Sequence, residues 1–341
     1  MKFEPKRVLI EENALEYPLG RELYTYFKDK AKDIEMRLIK SHNRVTGIPG
    51  KTPQQGFYEA KRTMVIGVRK SEKFQTCKPS AHYQLPIATS CPGKCEYCYL
   101  QTTLGKKPYI RTYVNIDEIL NRAKGYILER QPEITLFEGA ATSDPVPVEY
   151  LTGNLAKTIE YFGQEEYGRF RVVTKFTDID SLLHIKHRGH TTFRFTINTP
   201  YIIDTFEHNT PSMEERILAA GKIAKANYPL GFIIGPIMYY KNWQRDYENM
   251  LKELADIIPH TEMGISFELI THRFTSRAKN SILTLYPQTK LDLNEKNRQL
   301  KYGQFGYTKY VYPKEIMNEI KGFFHKQIRS SFKKSEIKYL V

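Results

Sequence analysis

The chain has 341 residues, enough for about two domains at roughly 150 residues each. Its 40% hydrophobic and 26% charged residues match ordinary globular usage and exclude wholesale disorder. No apolar run approaches ~18 residues, which excludes a spanning helix. The net charge of +14 is concentrated, since the last 71 residues carry 15 Lys/Arg against five Asp/Glu. Such a surplus points to a polyanionic partner, with a solvated basic surface as the plainer alternative. The first 20 residues contain no continuous apolar h-region, so the expected compartment is the cytoplasm, with no membrane partner.

In chain order, residues 1–80 alternate strand-like runs, at 7–10 and 63–68, with a helical run around 22–32. They predict a small α+β cap. From residue 81 to 270, short β-branched or apolar runs recur at 85–88, 134–137, 171–173, 192–197, 230–237 and 263–270. Helical segments intervene at 116–128, 148–162, from Thr210 onward with a polar cap before Pro211, and at 242–257. Six strands alternating with helices predict an α/β fold, a partial (β/α)6 barrel or an open doubly wound sheet. Chemistry is then expected in loops leaving the carboxyl ends of the strands. Residues 271–341 predict an aromatic hairpin over 302–312 and a basic amphipathic helix over 313–333.

Only four cysteines occur, and Cys91, Cys95 and Cys98 lie in Ser90-Cys-Pro-Gly-Lys-Cys-Glu-Tyr-Cys-Tyr99. Three thiolates at this spacing can hold three irons of a 4Fe–4S cube and leave the fourth open to another ligand. The alternative is a zinc site completed by Cys77 or His82, although no second Cys pair lies downstream. Cys77 otherwise reads as a structural thiol.

The C-x3-C-x2-C motif, with Tyr97 before its third cysteine, resembles the radical S-adenosylmethionine (SAM) superfamily. Phe137-Glu-Gly-Ala-Ala-Thr-Ser-Asp144 and Gly231-Phe-Ile-Ile-Gly235 extend the likeness, with Met238 where a Glu is usual. Together with the aromatic hairpin and basic C-terminus, these motifs resemble the spore photoproduct lyase family over nearly the whole chain. That resemblance implies a 4Fe–4S cluster on Cys91, Cys95 and Cys98. It implies a SAM site built from Tyr97, Ala140, Ser143, Lys175, Thr196 and Gly235. Lys175 at a strand end would meet the SAM carboxylate, because an ammonium there needs an anion.

The implied reaction removes a hydrogen from C6 of 5-thyminyl-5,6-dihydrothymine with a 5′-deoxyadenosyl radical, and a cysteine then returns a hydrogen atom. Tyr97 and Tyr99 would assist SAM regeneration. The chain departs from the family at that donor, where it has Ala141; a methyl group has no weak bond to give. Binding and first abstraction are expected to survive and clean hydrogen return to be impaired. The implied partners are UV-damaged DNA and an electron donor such as a flavodoxin or ferredoxin, in a spore-forming cell.

Chemistry on a stacked dimer requires its extrusion from the duplex. Tyr302, Gln304, Phe305 and Tyr307 could wedge into the gap, while Arg273, Arg277 and Lys301 hold phosphates. Two rival readings stay open. One is another radical-SAM enzyme acting on nucleic acid; the other is a metal-stabilised nucleic-acid-binding protein without activity.

Overall fold

The two apolar strands anticipated in the first 70 residues must be covered on both faces, and they are. In the computed structural model, which describes residues 1–30, 33–258, 264–302 and 308–341, every residue of Arg7–Glu11 and Thr63–Gly67 is buried. The chain divides into two compact units, Met1–Gly93 with Thr103–Thr192, and Lys94–Thr102 with Phe193–Val341.

The first unit contains a five-stranded sheet in the order Glu35–Ile39, Arg7–Glu11, Thr63–Gly67, Ile110–Tyr113, Ala88–Thr89. The first four strands run parallel, and the two central ones, Arg7–Glu11 and Thr63–Gly67, are largely apolar and buried throughout, whereas Glu35–Ile39 is mostly exposed. Val8, Ile10, Met64, Ile66 and Ile110 pack with Leu23 and Phe27 of the helix Pro18–Lys30. Ile110–Tyr113 brings residues beyond the anticipated cap into its sheet.

The same unit carries four strands in the order Gly168–Thr174, Thr135–Glu138, Ala81–Gln84, Thr76–Cys77. The first three are parallel, and Thr76–Cys77 is antiparallel to Ala81–Gln84. The strand expected at 85–88 therefore lies earlier. Leu85 N still donates to Glu138 O at 2.9 Å, but Pro86 has no N–H to continue the ladder. Ala88–Thr89 then pairs with the other sheet. The helix Ile116–Arg130 forms as expected. The run over 148–162 is cut by Gly153 at φ +60° into Glu149–Thr152 and Asn154–Gln164, the left-handed turn a glycine C-cap supplies.

In the second unit, Leu230–Ile237 lies between Thr191–Ile197 and Ile265–Thr271, all parallel. Ser335–Leu340 adds a further parallel strand beside Ile265–Thr271. The basic tail thus ends in a strand, and the helix before it, Lys314–Ser331, stops short of Lys333. Buried Arg194 donates to both oxygens of buried Glu268 at 3.1 Å, and Tyr339 OH donates to Glu268 Oε2 at 2.6 Å. The charges buried among these strands are therefore paired, as burial demands.

The helix Met213–Lys225 is capped by Ser212 in a reciprocal box with Glu215, so the cap follows Pro211 instead of preceding it. Trp243 and Tyr247 of Trp243–Ile257 stack edge-on against Phe323 and Phe324 at 4.9 and 5.1 Å. Gln299–Tyr302 and Thr308–Val311 form the expected hairpin. Gln304, Phe305, Tyr307 and the first residue of the sixth anticipated strand, Met263, lie outside the described residues. Among the described residues no helix is long and apolar enough to cross a membrane.

Candidate functional site

In the first unit, the loop carrying Cys91 is fastened to the turn after Thr135–Glu138. Ser90, at φ +66°, donates its N–H to Thr142 O at 2.7 Å and accepts from Asp144 N at 3.2 Å. Its hydroxyl donates to Pro108 O at 2.8 Å, and Lys61 Nζ donates to Cys91 O at 2.8 Å. A buried lysine with two oxygen acceptors holds the peptide of Cys91 in place.

The turn is ordered from within. A side chain at Gly139 would place its Cβ 2.5 Å from the Phe170 ring, so only glycine fits. Ala140 N donates to Glu138 Oε1 at 3.2 Å, and Ser143 Oγ donates to Gly139 O at 3.4 Å. Ala140 and Ser143, two of the anticipated SAM residues, therefore sit on one buried turn. Ala141 stands between them, partly exposed.

Asp144 closes the turn. Its carboxylate accepts from Thr174 Oγ1 and Lys175 N, each at 2.9 Å, and from Val146 N at 3.3 Å. Burial pushes its pKa up to about 6 against these bonds and the nearby Lys175 charge. Lys175, at the end of Gly168–Thr174, is thereby brought to the same turn. His82, one of the two residues considered for completing a zinc site, accepts at Nδ1 from Leu136 N at 2.9 Å. Among the described residues no three His, Cys, Asp or Glu side chains are gathered for a single ion.

In the second unit, Lys94–Cys95 pairs antiparallel with Glu207–His208. Cys98 N and Gln101 Nε2 both donate to Cys95 O, at 3.2 and 2.8 Å, which curls the chain between the second and third thiols. Tyr97 donates its hydroxyl to Glu207 Oε1. Burial, then the charges of Glu207 and Cys95, hold that phenol well above its usual pKa. Arg216, fully buried, donates to Glu207 Oε2 at 2.6 Å and to Thr196 O at 3.1 Å. Tyr97 and Thr196 are thus linked through one ion pair. Tyr99 is 58% exposed, unlike Tyr97. Gly235 lies buried in Leu230–Ile237, where an added Cβ would stand 3.2 Å from Ile270 Cβ.

The hairpin carries unbalanced charge. Lys301 and Lys309 face each other across its two strands. Desolvation, then the charges of Arg273 and Lys301, lower the pKa of Lys309. Arg273 is half-buried beside Phe274, whose ring stacks on Tyr310 at 5.3 Å. Arg277 is exposed on the helix Ser276–Leu285, and Tyr302 is 74% exposed at the strand end.

Sequence reasoning missed Lys61, Glu207, Arg216 and Lys309 as parts of these sites. Only Lys309 carried a usable signal, since it lies two residues past Tyr307 in an alternating strand.

Three cysteines at this spacing, with the small-residue turn and the acid-fixed lysine, define a radical SAM enzyme of the partial-barrel class. A family model described as spore photoproduct lyase matches residues 3–341, and the chain belongs to that family of DNA-repair lyases. It is 52% identical to the spore photoproduct lyase of Clostridium acetobutylicum over 336 residues, covering 98% of both chains. It is 48% identical to that of Bacillus subtilis over 340 residues, covering 99% of both.

A solved spore photoproduct lyase complexed with dinucleoside spore photoproduct matches all of both chains with TM-score 0.96 at 47% identity. A doubly substituted variant with bound SAM and the same dinucleoside matches with TM-score 0.96 at 48% identity, again over all of both chains. The fold is accordingly mixed α/β with an open eight-stranded sheet, a partial barrel. SAM and a 4Fe–4S cluster are its cofactors.

Proposed function

We propose that this chain reverses the spore photoproduct, 5-thyminyl-5,6-dihydrothymine, to two thymines in UV-damaged DNA of a spore-forming cell. The observation that carries the reading is the full-length likeness to a lyase solved with dinucleoside spore photoproduct and SAM. Cys91, Cys95 and Cys98 would hold the cluster; three thiolates at this spacing fit a cube with one open iron. Bound there, the group would supply the one-electron reductive cleavage of SAM.

The chain's own residues position the reactants. Ala140 and Ser143 offer a small polar turn for the SAM amino group. Lys175, fixed at its backbone by Asp144, offers an ammonium for the carboxylate. Thr196 and Gly235 would run along the adenine, and the Glu207–Arg216 pair holds Tyr97 facing inward. Tyr97 and Tyr99 would serve SAM regeneration, with a flavodoxin or ferredoxin as reductant.

Residues 271–341 would bind the DNA backbone. Arg273, Lys301 and Lys309 bring three like charges together, an arrangement a phosphate relieves. Arg277 extends that surface. Exposed Tyr302 stands where a wedge into the lesion step would begin, and Gln304, Phe305 and Tyr307 follow it in sequence. Considered at position 141 alone, hydrogen return would be impaired, because alanine stands where the donor belongs.

Anaerobic reconstitution with iron and sulfide, followed by SAM and the dinucleoside photoproduct, tests the reading. Thymine dinucleoside is the expected product. Release of 5′-deoxyadenosine with the lesion left intact would overturn it.

A further inference from the structure

Two side chains of the first unit point hydrogens at one another. His82, in the strand Ala81–Gln84, accepts the Leu136 N–H at Nδ1, 2.9 Å away. That bond leaves Nδ1 without a proton, so the neutral ring carries its hydrogen on Nε2. Arg130, the last residue of the helix Ile116–Arg130, brings Nη2 to 3.4 Å from that same Nε2. A guanidinium only donates. Two N–H groups therefore converge with no acceptor between them.

Nη2 spends one hydrogen on Glu133 Oε2 at 2.9 Å, and the other faces His82. Arg130 Nε is buried and has no hydrogen-bond partner either. Protonating His82 gives no relief, because it adds a charge beside two others. Burial, then the charges of Arg130 and Lys78, push the His82 pKa down, and only Glu133 acts the other way. Lys78 is exposed on the reversal that precedes Ala81–Gln84. Two permanent cations thus stand against one exposed carboxylate.

We propose that Lys78, His82 and Arg130 form an oxyanion site for a phosphate group, one oxygen of which accepts from both His82 Nε2 and Arg130 Nη2. A negatively charged oxygen takes two N–H donors at once, and its bond to the guanidinium is charge-assisted. Lys78 adds a point charge at the rim. The site is distinct from the anticipated SAM turn. His82 is held by Leu136, near the start of Thr135–Glu138, whereas the turn of Ala140 and Ser143 leaves the other end of that strand. The phosphate belongs either to the backbone of the damaged DNA or to a free phosphorylated small molecule. The first source rests on the lesion-repair reading; the site itself does not.

The test uses reconstituted protein labelled with 15N-histidine, with the His82 ring signals assigned by their loss in His82→Gln. Long-range 1H–15N spectra should show a neutral ring protonated on Nε2. Inorganic phosphate should shift those signals and raise the His82 pKa, since an adjacent anion favours the charged ring. Sodium chloride at equal ionic strength should do neither. Arg130→Gln leaves the bond from Leu136 in place and should abolish the response to phosphate. A ring protonated on Nδ1, or His82 signals that neither inorganic phosphate nor damaged duplex moves, overturns the site.

Duplex binding separates the two sources. If a backbone phosphate is the occupant, Arg130→Gln should lower the slope of log K against log salt for damaged duplex by about 0.9. An unchanged slope with the phosphate response intact assigns the site to a free phosphorylated molecule. Failure of the wild-type chain to bind damaged duplex would overturn the repair reading and leave the phosphate titration to decide the site.

Discussion

The Ser90–Asp144 region and the hairpin solve opposite problems. At the turn, buried Asp144 receives three hydrogen bonds, from Thr174, Lys175 and Val146. At the hairpin, Lys301 opposes Lys309 with Arg273 close by, and like charges across a strand pair are destabilising. One region satisfies its buried polar groups from within. The other leaves three like charges close together.

The largest effect that would break this comparison is at the cluster. Cys95→Ala should reduce cluster absorbance and bound iron to background while the fold, followed by far-ultraviolet circular dichroism, is retained. Retained iron–sulfur content would remove Cys95 from the ligand set.

Next comes the rigidity of the turn. The folded-state pKa of Asp144 is raised from 3.8 to about 6. The folded state therefore binds more protons than the unfolded one between these values, and stability falls as pH rises from about 4 to about 6. The span corresponds to at most about 3 kcal/mol, at about 1.4 kcal/mol per unit. Urea unfolding across that window should show the decline, and Asp144→Asn should flatten it. Asp144→Ala removes the acceptor of Thr174 and Lys175 and should cost about 1–3 kcal/mol at pH 5. A flat wild-type profile would contradict the raised value.

The smallest effect belongs to the hairpin and has opposite signs in two assays. Lys309→Gln should raise thermal stability slightly, since it relieves repulsion. It should also weaken lesion-DNA binding and lower the slope of log K against log salt by about 0.9, the change expected when one fewer phosphate is neutralised. An unchanged slope would show that Lys309 meets no phosphate. Tyr302→Ala should then weaken binding to damaged duplex more than to undamaged duplex, if stacking at the lesion is its role.

Much of the site was legible because its residues are neighbours in the chain. The three cysteines, Tyr97 and the turn from Phe137 to Asp144 are each read within ten residues. Glu207 was not legible, because its meaning lies in Tyr97, 110 residues away. Asp144 stood in the motif, but its bond to Lys175 spans 31 residues. The strand expected at 85–88 lies elsewhere because apolar character marks burial there, while Pro86 rules out a continued ladder. Ser335–Leu340 reads in sequence as part of a basic tail, because its alternation is short and its partner strand lies some seventy residues earlier.

By itself the sequence determined the thiol spacing, the alternation of strands and helices, the basic C-terminus and the alanine at position 141. These are local patterns of residue type, and covalent order alone preserves them. The tertiary structure decided which carboxylate holds Tyr97, which acid fixes Lys175 and which lysines repel one another. Hydrogen bonds and Coulomb forces act over a few ångströms, so only folding can say which distant residues come within their reach.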